Sequence, residues 1–478
     1  MSQQHLCTGL SRIPDTRRIM SKEDGKQASS FEGKETRGSV VLSVAFFAAF
    51  TAYMAIQNLQ SSLNQAEDLG IISLSVLYAC IIFSGILAPA VIKFLGVKKS
   101  LILSWICHIL YTGSNFYPTF YTLIPSSILL GAISGFMWTG QSIYISVCAF
   151  SLAKTTGNTE YDVLSKLNGL FFTVFETTQI TGNLVSSLIL QTGTYSNVSE
   201  GAVCGPDYCP LTANGSQIAT PESSVVYTLL GIYLGCDVIA LFVTVFFLPP
   251  LPKSNWSSNS SLKQSLSSFF VTLFKSKLIF LVPFIMFQAV EQAILWGDYT
   301  RSYVSCTIGI HMVGFIMATY GATTASFAFI FSRIAKYIGR YILFFTAAVL
   351  QGGVFIVLYI WMPTSEDLTY LFLIPVAWGL GESIWQTQSN SLIALLFPEK
   401  KEPAFANFHT WKAIGFTLTF ILSNFLCLKT KLIFVMTLLV VAMTMYTGVE
   451  IYTRRSHGSE VTKPDIKMED KKVSKTSL

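Results

Sequence analysis

YILFFTAAVLQGGVFIVLYIW, residues 341–361, runs through twenty-one positions without a charge. A hydrocarbon core roughly 30 Å thick is crossed by about 20 helical residues at ~1.5 Å each, so this stretch has the length of one transmembrane helix. Runs of the same kind recur at 40–59, 69–94, 100–117, 121–150, 165–190, 224–248, 276–297, 308–332, 368–396, 404–428 and 431–452. The chain is 51% hydrophobic and 12% charged, about half the charged share of a soluble domain. Lipid offers the backbone no hydrogen-bond partner and no barrel-like alternation is present, so the segments read as helices. The expectation is an all-α membrane protein with twelve transmembrane helices. They form two six-helix halves, 39–248 and 276–452, joined by a central loop at 249–275 and flanked by polar tails at 1–38 and 453–478.

Positive charge sets the expected orientation. The first 38 residues carry seven Lys or Arg and no cleavable signal, so the first span is expected to act as its own anchor. With both tails in the cytosol, 28 of the 32 basic residues fall inside; Arg301, Lys429 and Lys431 fall outside, and Lys412 lies within a span. Such a bias is the positive-inside rule, and it accounts for the net charge of +6 without any nucleic-acid partner. The loop 191–223 then lies outside. It carries two glycosylation sequons, at Asn197 and Asn214, and two cysteines, Cys204 and Cys209. These cysteines flank Gly205-Pro206-Asp207, a turn that would bring them together in an oxidising compartment, with Cys306 as a competing partner on the same side. The other six cysteines read as structural residues of spans or tail; sequons at Asn255 and Asn259 fall inside and should stay bare.

The two halves repeat each other. Lys93-Phe-Leu-Gly96-Val-Lys98 between spans 2 and 3 matches Lys336-Tyr-Ile-Gly339-Arg340 between spans 8 and 9. Span 4 holds Leu123-Ile-Pro125 and Trp138-Thr-Gly-Gln141-Ser142; span 10 holds Leu373-Ile-Pro375 and Trp385-Gln-Thr-Gln388-Ser389. Two such halves joined by a cytosolic loop have the architecture of the major facilitator superfamily. Ala52-Tyr-Met-Ala-Ile-Gln57-Asn58-Leu-Gln60-Ser61-Ser62-Leu-Asn64 resembles the opening signature of the uncoordinated-93 family, and Gly297-Asp298-Tyr299-Thr300-Arg301-Ser-Tyr303-Val-Ser-Cys306 resembles a second block of it. The resemblance covers about residues 32–455. It implies a major-facilitator-like multi-pass protein of the plasma membrane, with an endosomal pool open as well. In that family one role is as accessory subunit of a two-pore potassium channel, and another is escort of nucleic-acid-sensing receptors.

One departure separates the chain from transporters of this architecture. They carry Gly-x-x-x-Asp-Arg-x-Gly-Arg-Arg between spans 2 and 3, whose Asp latches the cytosolic side. Here Lys93 and Lys336 stand three residues before Gly96 and Gly339, and a Lys accepts no hydrogen bond. The latch is absent or rebuilt in both halves.

Ionisable groups inside spans are costly and each needs an account. Glu176 shares a stripe with Thr173, Gln179 and Asn183; Glu291 is flanked by Gln288 and Gln292; Glu382 precedes Trp385, Gln386 and Ser389 at helical spacing. Spans 1, 4, 7 and 10 line the cavity of a major facilitator bundle, which would bring Tyr53, Gln57, Gln60, Gln141, Glu291, Glu382 and Trp385 to it. Lys412, in span 11, calls for an ion pair with Glu382 or Glu176. Two readings stand side by side: a polar cavity that holds a small solute, cation or proton, or interhelical hydrogen bonds plus one buried ion pair that fix register. Asp237 has no account at this stage. His108, His311 and His409 lack metal-ligand spacing, and Gly131-x-x-x-Gly135 signals close helix packing within the chain.

Nothing resembles a phosphate loop, a nucleophile elbow or a zinc motif, so no enzyme, cofactor or metal is expected. Thr476-Ser477-Leu478 has the hydroxyl-x-aliphatic form that a PDZ groove accepts by strand addition. Membrane lipid is the surrounding partner. Three functions follow: an accessory subunit regulating a potassium channel, a secondary transporter, or a trafficking escort.

Overall fold

The computed structural model describes residues 33–158, 160–193, 203–210, 221–251, 262–397 and 401–461. The four sequons and the residues 476–478 lie outside the described residues, as do the side chains of Lys93 and Lys336. The structure is all-helical. Helices α1 (Glu35–Leu63), α2 (Leu69–Leu95), α3 (Val97–Ser114), α4 (Phe120–Thr156), α5 (Glu160–Leu190) and α6 (Ser223–Phe247) form one half. After a short helix α7 (Leu262–Leu273), helices α8 (Ser276–Ala293), α9 (Val313–Ile338), α10 (Arg340–Ile360), α11 (Leu368–Leu396), α12 (Lys401–Leu422) and α13 (Leu428–Val461) form the other. Thus α1–α6 are spans 1–6 and α8–α13 are spans 7–12. Among the described residues nine helical stretches are long and apolar enough to cross a membrane. The other three, α3, α5 and α12, are 18, 31 and 22 residues long and carry His108, Glu176 and Lys412 among their polar residues.

The repeated tryptophans show why both halves fold alike. Trp138 of α4 packs against Phe46 and Phe50 of α1 and Phe175 of α5. Trp385 of α11 packs against Phe284 and Phe287 of α8 and Phe344 of α10. In both halves an aromatic ring of the third span meets the first span edge-on: Trp105 with Phe46, and Phe344 with Phe284, each at 5.0 Å between ring centroids. Edge-to-face packing of this kind contributes about 0.5–1.5 kcal/mol beyond burial. The small residues of α4 serve the same end. A Cβ on Gly131 would collide with the Leu77 carbonyl of α2, and one on Gly135 with the backbone at Ser84 and Gly85, so α2 and α4 pack backbone to backbone.

The halves meet along two seams, α2 with α12 and α5 with α9. On the second, Gly314 and Gly321 lie against Asn183 and Gln179 with no room for a side chain.

One end of the bundle bears the start of α1 and the end of α13; it is the terminal end. There Gly96 and Gly339 take the left-handed conformation (φ +80° and +87°) that reverses α2 into α3 and α9 into α10. Lys98 donates to the Val245 carbonyl in the last turn of α6 and to the Leu248 carbonyl just past it, at 2.9 and 2.8 Å. Arg340 donates to Glu450 of α13 at 2.9 Å. Among the described side chains, Lys98 and Arg340 thus tie each basic hairpin to the last span of its own half. Part of the 249–275 loop is helical: α7 rests on α12 and α2, buries Phe269 and Thr272, and accepts a hydrogen bond from Asn407 at the Phe269 carbonyl.

The other end is capped, and it corrects the cysteine pairing. Cys204 bonds Cys306, and Cys209 bonds Cys427; Cys204 is not joined to Cys209. The Gly205–Asp207 turn points the two cysteines at different helix ends, so neither can reach the other. Cys427 belongs to the link between α12 and α13 rather than to a span. Peptide mapping without reduction should recover these two cross-links; substitution Cys306→Ser should free Cys204 for labelling and destabilise the protein by about 2–4 kcal/mol. Recovery of a peptide joining Cys204 to Cys209 would contradict the pairing.

Candidate functional site

The capping segment 203–210 comes from the first half and is bound to the second. Besides the two disulfides, the Tyr208 carbonyl accepts the Leu428 N–H at 3.0 Å, Asp207 pairs with Lys429 at 2.5 Å, and the Arg301 guanidinium lies 5.3 Å over the Tyr208 ring. Burial pushes the Tyr208 hydroxyl above its ordinary range, with Arg301 opposing.

Beneath the cap the seventh span does not stop at residue 297. It continues as a wide helix, Ile294–Ser305, with i→i+5 hydrogen bonding, and every residue of it is buried. Asp298 and Arg301 are therefore inside the bundle. Asp298 pairs with Lys431, both 3% exposed, and Ser423 bonds both. Arg301 pairs with Asp68, in the α1–α2 link of the other half, at 2.6 Å, and Ser305 bonds Ser62 of α1 at 2.9 Å. All three cations expected on this side thus meet a carboxylate: Arg301, Lys429 and Lys431. Pairing makes it feasible for Lys431 to sit inside α13 rather than in a loop.

An aromatic layer follows. Tyr78 of α2 stacks on Phe416 at 4.5 Å and on Phe420 at 5.7 Å, and Trp296 stacks on Phe416 at 5.2 Å. This layer crosses the α2–α12 seam.

Next comes the charged layer, where the structure redistributes the candidate cavity residues. Glu291 accepts from Trp378 and from Gln351 of α10, and Glu382 accepts from Gln292. Both glutamates are at most 2% exposed, so they form the inner wall of the second half. Trp385 is in its aromatic cluster. Gln57 accepts from Tyr78, Gln60 donates to Ser73, and Tyr53 packs on His108 and Tyr111, all within the first half. Gln141 is buried and accepts from its neighbour Ser142. These seven residues do not share one open cavity. Asp237 gains an account: Thr112 of α3 donates to it at 2.6 Å.

The expected ion pair is also corrected. Glu382 is engaged by Gln292, and Glu176 accepts from Gln386 of α11 at 2.9 Å, a hydrogen bond between the halves. Among the described residues no carboxylate is in ion-pair contact with Lys412. Its ammonium lies 5.8 Å over the Phe408 ring.

Exposure along two inner stripes rises toward the terminal end. On α5, Asn183 is 0% and Gln179 6% exposed, Glu176 is half-buried and Thr173 exposed. On α12, Phe420 is 0% and Phe416 6% exposed, Lys412 is half-buried and His409 exposed. The charged layer is closed by aromatics on the capped side and opens toward the other.

Residues 64–447 match the family described as "Ion channel regulatory protein UNC-93". The chain belongs to the UNC-93 family. It is 37% identical to "Protein unc-93 homolog A" of Xenopus laevis, an alignment covering 89% of this chain and 95% of that protein. It is 35% identical to the human protein of the same name, covering 87% and 93%. The "Putative potassium channel regulatory protein unc-93" of Caenorhabditis elegans is 29% identical, covering 91% of this chain and 63% of that protein. Among solved structures, the nucleoside transporter NupG superposes with a TM-score of 0.61 at 12% identity, covering 86% of this chain and 98% of that one. A POT family transporter in complex with 5-aminolevulinic acid gives 0.61 at 12%, covering 88% and 96%. At such identities the likeness shows the shared fold, and this UNC-93 member is a multi-pass membrane protein with major facilitator architecture.

The paired charges beneath the cap have a measurable signature. Lys431→Met or Asp298→Asn alone leaves a buried charge or polar group unmatched and should cost about 3–5 kcal/mol, while the double variant should recover most of that loss in thermal unfolding. Additive losses would show that the pair does not act as a unit.

Proposed function

We propose that this chain is a regulatory subunit of a potassium channel and that it acts as a held scaffold. The capped end faces the exterior of a plasma-membrane protein whose tails lie in the cytosol, as its excess of cytosolic positive charge favours. The naming of the nematode relative and of the family supports the channel assignment. One observation carries the scaffold reading. Alternating access requires the outer ends of the two halves to part, whereas here they are joined by the stapled segment 203–210 and by Asp68 with Arg301. Lys98 and Arg340 tie each basic hairpin within its own half, which supports a held frame over rocking transport. A PDZ protein engaging Thr476-Ser477-Leu478 would add a cytosolic anchor.

Co-expression with a two-pore potassium channel should change its current by about fivefold or more, a coupling of ~1 kcal/mol, and the two proteins should purify together. Unchanged current with no complex would overturn the proposal.

A further inference from the structure

We infer that the chamber beneath the aromatic layer binds a small zwitterion entering from the terminal end, with Lys412 receiving a carboxylate and Glu176 an ammonium group. The inference stands apart from the channel reading and does not depend on it.

Among the described residues Lys412 and Glu176 are the two opposite charges of the charged layer that are half-buried; Glu291 and Glu382 are engaged by Gln292, Trp378 and Gln351. A lysine and a glutamate inside a membrane ordinarily close into direct contact, because each left alone keeps a large desolvation cost. Here they stay apart. Gln386 holds Glu176 from the other half at 2.9 Å, and Lys412 rests over Phe408. The arrangement opens toward the terminal end: Thr173 and His409, one turn nearer that end on the same two stripes, are exposed. On the opposite side Tyr78, Phe416 and Trp296 close it.

The charge pattern selects the ligand. A lone anion attracted to Lys412 would face the charge of Glu176, and a lone cation at Glu176 would face Lys412. A molecule with both groups satisfies both without either being left unmatched. Donors and acceptors from both halves line the chamber, so such a ligand would bridge α5 to α11 and α12. Free amino acids and short peptides share this chemistry.

The test uses the purified full-length chain in lipid nanodiscs with its disulfides intact. Thermal unfolding is followed with millimolar L-amino acids, with simple dipeptides such as alanyl-alanine, and with blocked forms of each lacking the free carboxylate or the free amine. At least one unblocked compound should raise Tm by about 2–4 °C, and which panel does so separates amino acid from peptide. Blocking either end should remove the shift. Lys412→Met and Glu176→Gln should abolish it, whereas Lys412→Arg, which keeps the charge, should retain it. Should Lys412→Met fail to fold, Glu176→Gln and Lys412→Arg carry the comparison. A wild-type protein that no member of either panel stabilises overturns the inference. Equal shifts from blocked compounds, or shifts that persist in Lys412→Met and Glu176→Gln, do the same.

Discussion

An ionised side chain within the hydrocarbon must be paired, protonated or wetted, and the charges of this chain sort themselves by that rule. Near the capped end the answer is pairing: Asp298 with Lys431, Arg301 with Asp68, Lys429 with Asp207. In the middle of the second half Glu291 and Glu382 are each met by neutral donors, Glu291 by Trp378 and Gln351 and Glu382 by Gln292. Lys412 and Glu176 are half-buried and lie on the side that opens toward the terminal end. Sealing on one side and access on the other both follow from which answer each layer adopts.

Much of this was legible before any coordinates, because the signals are local. Span count depends on apolar length, and the paired Trp138 and Trp385 mark equivalent aromatic hubs on the fourth span of each half. Close packing of Gly131 and Gly135 was also readable, although not that α2 is the partner. What a sequence hides is which way a helix is turned. Tyr53, Gln57 and Gln60 sit on the span expected to line a cavity, yet α1 directs them toward α2 and α3. Hydropathy likewise ended the seventh span at Asp298, since a charge counts as polar whether or not a lysine neutralises it. Cysteine pairing depends on where two loops and a helix end converge, and no spacing rule specifies that. The helix α7 escaped for a related reason: its apolar residues are too few to stand out beside true spans.

The two halves are alike in their cores and unlike in their additions. Both are built around a fourth-span tryptophan and both tie a basic hairpin to a final span. The cap grows from one half alone, and the buried acids Glu291 and Glu382 belong to the other alone. Specialisation has thus been laid on a duplicated frame at opposite depths.

Gly314 places only a hydrogen atom against the Asn183 carbonyl of α5, on the line where the two halves touch. The width of that crack is consequently set by the smallest substituent chemistry provides. Adding one methyl there would serve as a shim, prying the bundles apart at the first turn of α9 while the sulfur bridges still bound their rims. The molecule would then be propped rather than released, a geometry that neither reduction nor charge removal could reach.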